Sequence, residues 1–209
     1  MKPGYDISKE CRWVSVLNLK GKTKEEIFKE FSYQTRQDIR TYEKYCVKTR
    51  VLNEDQLDVL DEMEKETSER QDFEAMSLDY YKDLYKFYGK SHIETVLSYL
   101  DLDAYAIKMQ SEFDKTSKDI EKTKAFLEQN PGNVKKEKRL KTDEEYYNSL
   151  LKKLSHIEEL KQEYGKEIPL ACCLFIGYGN NMTYLVGASN YECRNFRGPY
   201  AVQWHMIRE

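Results

Sequence analysis

An α+β body interrupted by an antiparallel helical hairpin is the architecture this 209-residue sequence predicts. Three observations carry it. Short apolar runs bounded by turn residues alternate with segments of helical period. From about Asp103 the composition becomes charged, with apolar or small residues at coiled-coil spacing. After "YGKEIP" it reverts to two strongly apolar runs, "LACCLFIG" (170–177) and "MTYLVGA" (182–188), the stuff of core strands.

In chain order, "RWVSVLNL" (12–19) reads as a strand. Thr23 followed by Glu26 is a capping box, and the helix it opens is expected to run to about Tyr45 with Ile27, Phe31, Ile39 and Tyr42 inward. "VKTRVL" (47–52) alternates and predicts a second strand. Asn53 with Gln56 is another helix start, placing Leu57, Leu60 and Met63 on one face. A helix over Phe73–Tyr88 follows from Phe73, Tyr80 or Tyr81, Leu84 and Tyr88, and "IETVLSYL" (93–100) reads as a strand.

Met109, Phe113, Thr116, Ile120, Thr123 and Leu127 then repeat at four-three spacing until "QNPGN" (129–133) breaks the helix. Tyr147, Leu150, Leu154 and Ile157 form a second seam. Facing seams around a Pro-Gly turn predict an antiparallel pair reaching roughly 40 Å from the body, at 1.5 Å per residue. The predicted division is therefore a body of 1–102 and 164–209 and an arm of 103–163. Gly179-Asn180-Asn181 joins the last two strands as a hairpin turn, and a helix starts at Pro199 and is still running near Glu209.

At 40% hydrophobic with 17 Tyr and 8 Phe, the chain can bury a core, so the 34% charged fraction points to solvated helices rather than disorder. A net charge of −3 excludes a globally basic nucleic-acid binder, leaving only a local patch. Five cysteines without a Cys-x-x-Cys pair argue against a disulfide framework or zinc site, and "MKPGYDISKE" has no apolar signal region. The expectation is a cytoplasmic chain with neither metal nor cofactor.

Arg36, Arg40 and Lys44 share one helix face and can grip phosphate, although spacing alone favours a solvated face paired with Asp38 and Glu43. Arg70, in the polar link "TSERQDF", is an anion-site candidate or a surface ion pair. Tyr184 and Ser189 lie on and after the last strand, where ligand sites of open sheets gather; a packed strand end is the alternative. Lys135, Lys136, Lys138 and Arg139 give the arm a basic tip suited to a nucleic-acid backbone, or simply to solubility. Cys172 and Cys173 sit in an apolar run that disfavours thiolates, so neither is expected to be a nucleophile. The loop "SNYECRNFRGPY" lacks the glycine pattern with which GNAT-type acetyltransferases hold coenzyme A.

Four stretches in order, "LNLKGKTKEEIFKEFSYQTRQDIRTYEKYCVKTRVL", "TSERQDFEAMSLDYYKDLY", "IPLACCLFIGYGNNMTYLVGASN" and "FRGPYAVQWHMIRE", resemble the FemABX peptidoglycan-bridge aminoacyltransferases. The resemblance implies a GNAT-like mixed sheet with flanking helices, carrying an inserted coiled-coil arm like that of seryl-tRNA synthetase. It implies transfer of an amino acid from aminoacyl-tRNA to the stem-peptide lysine of a precursor such as lipid II, with membrane contact only through that lipid. Arg36 and Arg40 fall in "QTRQDIR", where Gln34 replaces a usual basic residue; Arg70 falls in a Thr-x-x-Arg-x-x-Phe motif and resembles a phosphate contact; Tyr184 and Ser189 fall in a Tyr-Leu-x-Gly-Ala-Ser stretch lining the cleft.

The family pattern also has a first GNAT-like subdomain before Trp13 and tail strands after "WHMIRE", with a Lys-Lys-Gly-Phe motif. The sequence-based expectation is a truncated enzyme, incomplete at its C-terminus and inactive alone, with an exposed apolar flank. The alternative is a non-catalytic tRNA- or protein-binding module acting through its arm.

Overall fold

The computed structural model describes residues 14–209. Four strands, β1 (Val47–Leu52), β2 (Ile93–Asp101), β3 (Glu167–Tyr178) and β4 (Asn181–Ser189), form one sheet in the order β1-β2-β3-β4. Every pairing among them is antiparallel, so no parallel pair of the expected mixed sheet lies within the described residues. The α+β class stands. Helices α1 (Lys24–Glu30), α2 (Tyr33–Lys44) and α7 (Gly198–Arg208) lie with Leu100, Ile168 and Leu170 on one face. Helices α3 (Asp58–Gln71) and α4 (Leu78–Tyr88) cover Leu97, Cys172 and Leu174 on the other. Two long helices, α5 (Leu102–Gln129) and α6 (Val134–Tyr164), leave the sheet between β2 and β3.

Local chemistry sets most boundaries. Thr23 and Glu26 cap each other's backbone N–H as the sequence predicts. The expected single helix to Tyr45 is split in two, because Ser32 turns out to be a second N-cap, accepting from Thr35 N at 3.1 Å. The helix expected from Phe73 starts five residues later. Asp72 ends α3 in the left-handed conformation (φ 57°), and Ser77 caps α4 by accepting from Tyr80 N. Asn53 and Gln56 sit on a single 3-10 turn that precedes α3.

The strand expected at 12–19 is not formed over 14–19, which have no ladder partner among the described residues and where Val14 and Val16 are 80% and 82% exposed; Arg12 and Trp13 lie outside the described residues. An apolar alternation makes a strand only when a neighbour takes its hydrogen bonds.

The helix pair forms as its spacing predicts. Met109, Ile120 and Thr123 of α5 and Leu150 and Ile157 of α6 are buried, Phe113 stacks on Tyr147 at 4.6 Å, and Lys124 pairs with Glu144. Asn130–Asn133 reverse the chain around Gly132 (φ 85°). The root is tied firmly. Asp101 ends β2 and caps α5, accepting from Ala104 N at 2.9 Å while pairing with Lys48 at 2.7 Å. Leu102 N donates to Lys166 O, which closes the hairpin where it meets the sheet.

Two bulges shape the sheet. One adds Leu170 to β3 opposite Ser98/Tyr99, so that the adjacent residues Leu170 and Ala171 both pack on the α7 side, with Trp204 and Val202 in their respective clusters. Against that bulge α7 makes its closest approach: Ser98 Oγ donates to Gly198 O at 3.0 Å, and a Cβ on Gly198 would lie 2.5 Å from Leu170 Cβ. The second bulge adds Leu185 to β4.

Two outcomes follow. Gly198→Ala destabilises the fold by about 1–3 kcal/mol in urea denaturation, the cost of overpacking against sheet backbone. Asp101→Ala costs about 1 kcal/mol at neutral pH through the lost cap. The Ala104 N–H bond and the Lys48 ammonium depress the Asp101 carboxyl pKa. The folded pKa lies below the unfolded one, so this stability is present above about pH 4. It is lost as the pH falls through the depressed value, and the denaturation curves of variant and wild type converge there.

Candidate functional site at the end of strand β4

Strand β4 is an edge, so half of its main-chain groups have no ladder partner. At its end the last turn of α3 supplies them. Thr67 Oγ1 donates to Met63 O at 2.9 Å and accepts from Ser189 N at 3.3 Å. Arg70 Nη1 makes a long 3.5 Å contact with Ser189 O, and its guanidinium lies 4.9 Å from the ring centroid of Tyr191. Arg194 lies 4.3 Å from the same centroid and donates to Tyr191 O. Two of the predicted residues, Arg70 and Ser189, are thus brought together although 119 positions apart.

Tyr184 lies nearby in sequence but does a different job. Its ring packs tilted on Phe175 at 5.4 Å, and its hydroxyl accepts from Cys173 Sγ at 3.9 Å. The hydroxyl occupies the space over Gly187: a Cβ there would stand 1.7 Å from the phenol oxygen. Desolvation pushes the Tyr184 phenol up, so it stays protonated at neutral pH and can donate a hydrogen bond. Burial likewise pushes Cys173 up to about 12 and raises Cys172, which holds both thiols neutral.

The α2 arginines do not join this cluster. Arg36 Nη1 donates to Lys29 O and Phe31 O, closing the C-terminus of α1. Arg40 is exposed over the Phe28 ring at 5.5 Å. No hydrogen bond, ion pair or ring contact among the described residues links either to Arg70 or Ser189. On the arm, Arg139 pairs with Asp143 in its own helix and Lys136 lies over Phe126, whereas Lys135 and Lys138 are exposed with no carboxylate in ion-pair range among the described residues.

Thr67, Tyr191 and Arg194 were not singled out from sequence. Tyr191 and Arg194 fall in the loop read only for its lack of a glycine pattern. Their three-residue spacing in a turn is a usable signal; the approach of Arg70 from another layer leaves none.

The fold is that of an open antiparallel sheet between two helical layers, with a cationic, aromatic cluster at its edge instead of a glycine-rich phosphate loop. It matches the crystal structure of FemX with a TM-score of 0.74, at 23% identity over 90% of this chain and 47% of that one. The FemAB family model matches residues 1–209, and the chain belongs to that family. It is 30% identical over 204 residues to aminoacyltransferase FemA of Staphylococcus epidermidis, and 29% identical to that of Staphylococcus aureus. The alignments take in 98% of this chain and 49% and 48% of those proteins, so the chain spans about half the length of the curated relatives it matches. No helix among the described residues is long and apolar enough to cross a membrane.

The contact at Gly187 generates a prediction. Gly187→Ala forces the Tyr184 phenol off its seat, and because the clash is with the end of a rotatable side chain, the fold survives. The expected result is an altered near-ultraviolet tyrosine signal with far-ultraviolet dichroism unchanged.

Proposed function

We propose that this chain carries part of a tRNA-dependent aminoacyltransferase that extends the stem-peptide lysine of a peptidoglycan precursor such as lipid II, in interpeptide bridge synthesis. Membership of the FemAB family and the relatives named aminoacyltransferase support the class. The observation that carries the reading is Arg70: it stands at the end of β4 with no carboxylate in ion-pair range among the described residues, fixed by a single long contact, so most of its N–H donors remain for a phosphate.

The reaction is aminolysis. The lysine amine attacks the ester carbonyl carbon of the aminoacyl-tRNA, a C–N bond forms, and the ribose oxygen leaves with the C–O electron pair. The amine gives up a proton, and the ribose oxygen ends protonated. The ester is already activated, so such a site needs positioning and stabilisation of the tetrahedral oxyanion rather than a protein nucleophile. The neutral Cys172 and Cys173 fit that requirement. In this reading Arg70 and Ser189 position the precursor and Tyr184 offers a protonated hydroxyl to the cleft, whereas Arg36 and Arg40 stay with α1 on the other face of the sheet. The arm of residues 103–163 acts as a separate unit, with Lys135, Lys136, Lys138 and Arg139 meeting the tRNA backbone.

The chain is expected to bind lipid II, Arg70→Gln lowers that binding about tenfold through a lost charge-assisted bond, and any label transferred from aminoacyl-tRNA is expected on the lysine ε-amine. Lipid II that is neither bound nor modified overturns the proposal. A second reading, a tRNA- or protein-binding module without catalysis, draws on the unpaired Lys135 and Lys138. Lys135→Glu with Lys138→Glu is expected to weaken tRNA binding and reduce its salt dependence while lipid II binding persists; tRNA binding by a chain that never engages lipid II selects the module.

A further inference from the structure

Among the described residues, Tyr191 is the one aromatic ring with two cations over it. Arg70 comes from the last turn of α3 and Arg194 from the 3-10 turn Arg194–Phe196 that leads into α7. Their guanidinium carbons, at 4.9 and 4.3 Å from one centroid, are separated by no more than those two distances together. Both side chains are exposed, and neither has a carboxylate within ion-pair distance among the described residues. Three other arginines are neutralised: Arg50 is held bidentately by Glu167, Arg139 pairs with Asp143, and Arg197 lies 2.8 Å from the buried Asp38.

Holding two like charges close together is unfavourable unless something offsets it. The negative face of the tyrosine ring offsets part. Arg194 also donates to Tyr191 O at 3.0 Å and Arg70 makes its long 3.5 Å contact with Ser189 O, which orients both forks while leaving the remaining donors open. A cationic pair that is pre-oriented but unneutralised is an anion site.

We infer that Tyr191 and Arg194 complete, with Arg70, a two-fork site for the diphosphate of the precursor, in which Tyr191 is the platform and Arg194 the second phosphate contact. This rests on the proposed function for the identity of the ligand and extends it to residues that function does not use. A diphosphate suits the site better than a single phosphate: two planar forks can each take one phosphoryl group bidentately.

The test is equilibrium dialysis of the 209-residue chain against labelled inorganic pyrophosphate. Arg194→Gln and Arg70→Gln each weaken binding about tenfold. Arg194→Lys recovers only part, Tyr191→Phe binds like wild type, and Tyr191→Leu weakens binding. The thermal midpoints stay together, because all three side chains are at the surface. An Arg194→Gln variant that binds pyrophosphate as wild type does, or a wild type that binds none, overturns the inference. So does loss of tRNA binding by Arg194→Gln with pyrophosphate binding kept, which makes the anion an RNA phosphate. If Arg194 proves silent while Arg70→Gln still weakens lipid II binding, only this inference fails. If pyrophosphate binds as described and lipid II is neither bound nor modified, only the function fails.

Discussion

The pairing of β2 with β3 is the constraint on which the rest depends. These two strands run side by side from Ile93↔Ile176 to Asp101↔Glu167, yet 65 residues separate Asp101 from Glu167 in the chain. A flexible excursion of that length would carry a loop-closure cost and leave the register loosely defined. A hairpin of two nearly equal helices avoids both, because it returns the chain to its starting point. Asp101 serves as the last residue of one element and the cap of the next, and Leu102 N reaches Lys166 O across the gap. The buried residues of the hairpin root, Leu102, Tyr105, Met109, Ile157 and Leu160, continue the body's own core.

With the central pair set, β4 follows as an edge, and its unpaired main chain becomes the origin of the candidate site. The bulge at Leu185 changes which face each later residue presents: Tyr184 lies with Phe175 on the α7 side, whereas Val186 and Ala188 pack under α3 and α4. Helix α7 packs mainly across β1, β2 and β3, so the α7-side surface at Met182 and Tyr184 is open, and both are about half exposed. Only the end of β4, at Ser189, is closed by α3. The exposed apolar residues expected from sequence are therefore found along this edge.

The body's alternation, the helical hairpin and the last hairpin turn were legible because each is a local property: a period, a break, a pair of apolar runs. Where reading failed, a competing partner decided. Phe31 looked like the middle of an apolar stripe, but the Ser32 hydroxyl offered the backbone a better arrangement and ended the helix. Residues 14–19 alternate like a strand and lack a described neighbour to pair with. The Arg36–Arg40 spacing suggested a phosphate grip, yet Nη1 of Arg36 is taken up by the open carbonyls that the same helix break created. Sequence shows residue types; it does not show which donors remain free. Arg70 and Ser189 were candidates from their positions in a polar link and at a strand end, strengthened by family resemblance, but their contact, like that of Arg70 with Tyr191, is a product of tertiary packing with no local signature.

Two groups of cationic side chains with free donors stand at opposite ends of a stiff link. One group, Arg70 and Arg194, stands at the end of the sheet's edge strand; the other, including Lys135 and Lys138, stands at the far end of the hairpin, about 40 Å of helix from its root. No hinge intervenes. Helix α5 begins at the residue after β2, Gly165 and Lys166 alone separate α6 from β3, and Lys161 and Asp103 form a further ion pair across the root. A helix pair with a packed seam and no internal glycine transmits its direction from base to tip. The separation of the two cationic regions is therefore set by β2–β3 register and helix length rather than by loop flexibility. Under the proposed function, that arrangement would hold the phosphorylated precursor at the sheet while the tRNA backbone lies along the arm.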